Sequence, residues 1–275
     1  MSLLRVENLS KRFGGLNAVE DLSFDIQPGA VYSIIGPNGA GKTTLLNLLT
    51  GVYQPSAGRI LFGDHDLTGR APYEYAGHGI ARTFQNLQVF FNMSALENVM
   101  VGRYRHERCG LGATLLRSPR LGRAERACRE DAAELMCYVG LQNYLSTAAD
   151  AMPYGALKRL EIARALATQP KLMLLDEPAA GLNPTEALEL DHLIGRLTGR
   201  GVTVVLVEHN MRLVMGVSDH ILVLDYGRKL AEGPAAAVRN DPKVIEAYLG
   251  SAVPHDASFG SEIASVVAVA VEMRR

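Results

Sequence analysis

Gly36-Pro37-Asn38-Gly39-Ala40-Gly41-Lys42-Thr43 has the spacing of a loop that grips phosphate, with glycines where a backbone must pass close to an anion, then a lysine and a hydroxyl. Successive N–H groups in such a loop point inward at phosphate oxygens, and the positive end of the following helix adds to the field. Lys42 would bring a mobile cation to the β- and γ-phosphates of ATP. The Thr43 hydroxyl would enter the octahedral shell of Mg²⁺, with Thr44 continuing the nucleotide-binding set. Further on, Leu172-Met173-Leu174-Leu175 ends in Asp176-Glu177. Alone, two carboxylates before Pro178 read as a solvated acidic turn. Beside a phosphate loop, Asp176 becomes a holder of Mg²⁺, directly or through water, and Glu177 the base that polarises the attacking water. Val204-Val205-Leu206-Val207 likewise delivers Glu208-His209, although a lone histidine in that place is usually just a satisfied or exposed side chain.

These groups need elements to hold them. Val31 to Ile35 reads as a short buried strand stopping at the glycine-rich loop, and Thr43 to Thr50 follows with helical spacing of Leu45, Leu46 and Leu49, so the order is strand, loop, helix. Leu3 to Phe24 alternates apolar and polar residues in two runs about Gly14-Gly15, which predicts antiparallel strands and a turn. From about Asn86 the character changes to Ala, Glu, Arg and Leu, with helical intervals in Arg123 to Val139. Residues 86–159 therefore read as a helical subdomain inserted into the core. Strand signals return at Leu172 to Leu175, Val202 to Val207 and Ile221 to Leu224 with helical stretches between them, which implies an α/β fold with a mostly parallel sheet. The globular pattern ends at Tyr248-Leu249-Gly250, leaving 251–275 as a poorly ordered tail.

Composition narrows the class. With 28 Lys and Arg against 29 Asp and Glu, the net charge of -1 gives no footprint for nucleic acid or an anionic membrane surface. Three cysteines without C-x-x-C spacing argue against a disulfide framework and a zinc site, and fit a reducing cytosol. The first residues lack the pattern of a signal peptide. The apolar run Ile263 to Val271 is far below the roughly 18 to 20 residues that span a bilayer. Membrane association would come through a protein partner.

The order of these motifs resembles the nucleotide-binding subunits of ABC transporters across residues 3–250. The resemblance implies a P-loop ABC ATPase core with an N-terminal antiparallel β subdomain and the inserted helical one. It makes Phe13 the aromatic that stacks on adenine, Gln85 the glutamine that reaches Mg²⁺ and the attacking water, and His209 the switch histidine on the γ-phosphate. The segment after Gln85 would face the membrane subunits, and Gly181-Leu182-Asn183 would be the loop that crosses between two ATPase subunits. Without it, Phe13 reads as an ordinary core aromatic and Gln85 as a surface amide.

In that family two subunits pair head to tail, each ATP lying between one phosphate loop and the other subunit's signature, Leu-Ser-Gly-Gly-Gln. Here the aligned residues are Met152-Pro153-Tyr154-Gly155-Ala156, leading into a helix from Leu157 to Ala167. Pro153 offers neither a hydroxyl nor an N–H. The own-side ATP site is therefore expected to be competent and the reciprocal site slower. Tyr154-Gly155, Lys158 to Arg164 and Asp176 to Pro184 are similar to the branched-chain amino-acid importers, as is the long insert including Gly112 to Pro119. That similarity implies a second ATPase subunit, unlike this one or else a second copy, together with membrane subunits, an external solute-binding protein, and a place on the cytoplasmic face of the inner membrane. Urea and short-chain amide importers are the near alternative. ABC ATPases that do not transport carry paired cassettes or long coiled-coil arms, and a purely regulatory subunit would not keep every group of its own site.

Overall fold

The computed structural model describes residues 2–104 and 119–250. The tail at 251–275, its apolar run, and most of Gly112 to Pro119 lie outside the described residues. The chain begins with β1 (Leu4–Phe13) and β2 (Leu16–Ile26), paired antiparallel about the Gly14-Gly15 turn. β3 (Val31–Ile35) leads through the glycine-rich loop into α1 (Lys42–Leu49), followed by β4 (Ala57–Phe62) and β5 (His65–Asp66). Then come α2 (Pro72–His78), β6 (Ile80–Arg82), α3 (Ala95–Arg103), α4 (Pro119–Tyr138) and α5 (Tyr154–Ala167). β7 (Leu172–Asp176), α6 (Pro184–Gly199), β8 (Thr203–Val207), α7 (Met211–Val217), β9 (His220–Asp225), β10 (Arg228–Gly233), α8 (Ala235–Arg239) and α9 (Pro242–Gly250) complete it.

The first sheet has the order β2-β1-β4-β5 with its pairs antiparallel. The second has the order β10-β9-β3-β8-β7-β6 and is parallel except for β10 at its edge. β7 and β8 are buried along their whole length, so their residues alternate between two apolar layers. Met173, Leu175, Val204 and Leu206 join α4, α5 and α6 on one side. Leu172, Leu174, Val205 and Val207 meet α1 and the antiparallel sheet on the other. A buried Leu or Val side chain is worth about 1.5–3 kcal/mol, so strands covered on both faces are rigid supports. That placement sets the chemistry, because the carboxyl ends of β3, β7 and β8 open on one edge, where ligands bind in sheets of this kind.

Candidate nucleotide site

The loop after β3 is shaped by what its glycines avoid. A Cβ at Gly36 would collide with the carbonyl of Leu224, and one at Gly41 (φ +97°) with the carbonyl of Ala18. The β9–β10 turn braces the loop from behind, with Gly227 N–H donating to the Ala40 carbonyl at 3.0 Å and Glu20 N–H to the Gly227 carbonyl at 2.8 Å. α1 starts directly after Gly41 and carries no acidic residue in its first turn, so the field at its N-terminus suits an anion. Lys42 folds back over the loop and its Nζ donates to the carbonyls of Gly36 (2.7 Å) and Pro37 (2.9 Å). Burial lowers the pKa of this ammonium, and the charges of Glu177 and Asp176 oppose the shift. Thr43 is exposed and Thr44 half-buried in the same turn.

At the ends of β7 and β8 three groups meet. Gln85 Nε2 donates to Glu177 Oε2 at 2.7 Å, and His209 Nε2 lies 2.9 Å from Glu177 Oε1. Glu177 itself takes a left-handed backbone (φ +47°), with its N–H on the Val207 carbonyl at 2.8 Å. Asp176, one residue earlier, is buried in an ion pair with Arg82 at 2.9 Å. Phe13 stands apart at the end of β1, 42% exposed, its ring edge-on to Tyr53 with centroids 5.2 Å apart and Lys11 Nζ 5.0 Å from its centre.

Residues 152–156 lie elsewhere, and among the described residues no hydrogen bond joins them to the phosphate loop. The helix begins at Tyr154 rather than Leu157, with Pro153 as its N-cap at φ −66° and no side-chain cap. A helix can start this early because proline's fixed φ needs no N–H there. The Tyr154 ring covers Gly181 (φ +79°), and the Glu186 carboxylate sits where a Cβ on Gly155 would go. Glu186 also closes the capping box of Asn183 at the start of α6. The signature-aligned segment and the loop at 181–183 thus form one packed unit.

Several supporting residues escape a reading of motifs. Lys158 and Glu161 on α5 are buried. Lys158 Nζ donates to the Gln85 carbonyl at 3.0 Å, and Glu161 Oε1 accepts from Gln88 N–H at 2.6 Å. Glu208 is buried and accepts from the N–H groups of Ala179 (2.7 Å), His209 (3.1 Å) and Asn210 (3.3 Å), tying the turn after Glu177 to the segment that carries His209. Burial raises the Glu208 pKa, which those N–H groups oppose. Glu208→Ala leaves these donors without their acceptor, and it is expected to cost roughly 1–3 kcal/mol of stability, read by urea denaturation.

A glycine-rich loop after β3, with a Gln–Glu–His cluster just beyond the ends of β6, β7 and β8, fits a nucleoside triphosphatase of the P-loop type. An ABC transporter family model matches residues 19–180, and a branched-chain amino acid ATP-binding cassette transporter model matches 228–254. The high-affinity branched-chain amino acid transport ATP-binding protein LivG of Escherichia coli (strain K12) is 45% identical over 251 residues, 91% of this chain and 98% of that protein. The corresponding protein BraF of Pseudomonas aeruginosa matches at 45% over the same shares. The probable LivG of Archaeoglobus fulgidus is 35% identical over 91% of this chain and 96% of its own. A solved nucleotide-free ATP-binding cassette from an ABC transporter superposes with a TM-score of 0.79 at 34% identity, covering 90% of this chain and 99% of that one. The chain belongs to the ATP-binding subunits of ABC transporters.

Proposed function

We propose that this chain binds and hydrolyses ATP to drive an importer of branched-chain amino acids or related small polar solutes, acting through residues 1–250. The contact of Gln85, Glu177 and His209 carries the reading, since a carboxylate gathered with two polar side chains is what a γ-phosphate and its attacking water would need. The relatives' branched-chain amino acid names support the transported class. Nothing in this chain need touch that solute.

Lys42 would release the carbonyls of Gly36 and Pro37 and turn to the β- and γ-phosphates, while Gly36 to Thr44 wrap them with backbone N–H groups and Phe13 stacks on adenine. Glu177 would take the proton of the attacking water through an oxygen now held by Gln85 or His209. His209 would steady the γ-phosphate. The hydroxyl of Thr43, the carboxylate of Asp176 and the amide oxygen of Gln85 would supply an all-oxygen donor set, the chemistry that suits Mg²⁺. When bound there, Mg²⁺ neutralises charge on the phosphates.

Pro153 gives no hydroxyl to a partner's ATP, so the pair is proposed to be unequal, with an unlike ATPase subunit supplying the signature to this chain's site. No helix among the described residues is long and apolar enough to cross a membrane. Membrane subunits of the transporter would hold it at a peripheral place on the cytoplasmic face of the inner membrane. The exposed Phe84, Phe90 and Phe91 around the segment after Gln85 would meet those subunits. The test is to copurify the chain with its membrane subunits and to screen their external binding protein for ligands. Leucine, isoleucine or valine is the expected ligand. Urea or a short amide would reassign the solute, and recovery of ribosomes or DNA in place of membrane proteins would overturn transport.

A further inference from the structure

Asp176 is not a free carboxylate. It ends β7 with its side chain 6% exposed, and Oδ2 accepts from Arg82 Nη2 at 2.9 Å. Arg82 ends β6, the neighbouring parallel strand, where it pairs with Leu174, so its long side chain runs diagonally forward to reach the carboxylate. Its own side chain is 7% exposed. The second arm of the same guanidinium, Nη1, donates to Asn47 Oδ1 at 2.6 Å and lies 3.4 Å from Thr50 Oγ1, in the last turn and at the C-cap of the helix that follows the phosphate loop. The plane is also 5.1 Å from the ring centre of Phe84, the residue before Gln85. One buried cation thus joins the magnesium carboxylate, the phosphate-loop helix and the glutamine segment.

Such a cation has two physical consequences. A carboxylate buried alone would cost several kcal/mol, and the guanidinium offsets that cost by supplying an opposite charge in hydrogen-bond contact. The fork also fixes orientation: with Oδ2 committed to Arg82 and Arg82 committed to Asn47, a metal would be held through Oδ1 in one rotamer. Lysine carries the same charge on a single point and cannot hold two acceptors in a plane.

We propose that Arg82 is a positioning residue for the metal site, orienting Asp176 so that Mg²⁺ binds with the nucleotide. This rests on the ATPase reading above. Partners that orient a metal ligand from outside the coordination sphere commonly affect affinity by about 10–100-fold. Arg82→Lys should therefore raise the Mg²⁺ concentration needed for half of the nucleotide-dependent rise in melting temperature by about 10-fold or more. ATP affinity measured in EDTA should stay within about twofold of wild type, because Arg82 touches no group assigned to the phosphates. Asn47→Ala removes the second anchor and keeps the charge. It should move the Mg²⁺ requirement in the same direction by less, and it carries the test should Arg82→Lys fail to fold. An unchanged Mg²⁺ requirement in a folded variant, or equal loss of ATP affinity with and without Mg²⁺, overturns the role of Arg82. A wild-type chain whose ATP affinity and melting temperature ignore Mg²⁺ altogether would instead overturn the assignment of the site itself.

Discussion

Glu177→Gln is expected to lower steady-state ATP hydrolysis of the assembled transporter by about 10²–10⁴-fold, the usual contribution of a positioned general base, while ATP still binds. The substitution keeps the shape of the side chain. Its amide oxygen can still accept a hydrogen bond from Gln85 or pair with His209, which now sit 2.7 and 2.9 Å from the two carboxylate oxygens. What is lost is the ability to accept a proton from water. Affinity for ATP, titrated on the isolated chain, should remain within a few-fold because the phosphate loop is untouched. An unlike partner would keep its own base, so any residual turnover would report the reciprocal site, to which Met152 to Ala156 of this chain are proposed to contribute. With Pro153 in place of a hydroxyl donor, that residue of activity should be small. Near-normal turnover would remove Glu177 from the role of base.

Part of this arrangement is legible in the chain itself. β3, β7 and β8 announce themselves because each is a short, mainly apolar run that stops at a glycine or an acid, and strands buried on both faces must be largely apolar. The charged groups that join these strands to their neighbours are less visible. Arg82 and Asp176 are separated by 94 positions, and nothing local distinguishes an arginine that spans two strands from one that points into water. Lys158 and Glu161 look like the polar face of an amphipathic helix, yet both are buried because the Gln85 to Gln88 segment crosses over them. That crossing is tertiary and leaves no periodic mark.

Glu208 is a different case, since the signal was present. Like Asp176 it follows an uninterrupted apolar strand, and the same argument that singles out one carboxylate at a strand end applies to the other. Its partners are backbone N–H groups rather than a metal or phosphate, so its part is to hold the loops bearing Glu177 and His209 together. The start of α5 shows a third kind of gap. Proline and glycine normally argue against helix, which places its start at Leu157. Here Pro153 lies just outside the first turn, where its φ is no obstacle, and the Gly155 site is filled by Glu186 from another helix.

Lys42→Met should weaken ATP binding by about 10- to 100-fold, the equivalent of losing one charge-assisted hydrogen bond of about 1.5–3 kcal/mol. The methionine fills similar volume, so the loop keeps its packing while losing its cation. The ammonium donates at 2.7 and 2.9 Å to two carbonyls of its own loop. ATP must offer more than those carbonyls do. Burial lowers the pKa of Lys42 and thereby shows that its charge is costly where it sits, so a phosphate arriving beside it relieves an existing penalty. The sign follows. A base with a depressed pKa loses its proton earlier than an ordinary lysine, so wild-type affinity should fall on the alkaline side before the usual lysine range, and the methionine variant should not follow it. Isothermal titration across that range compares the two directly. Equal affinities at neutral pH would mean that the ammonium stays with Gly36 and Pro37 when ATP binds, leaving the backbone N–H groups and the helix field to hold the phosphates alone.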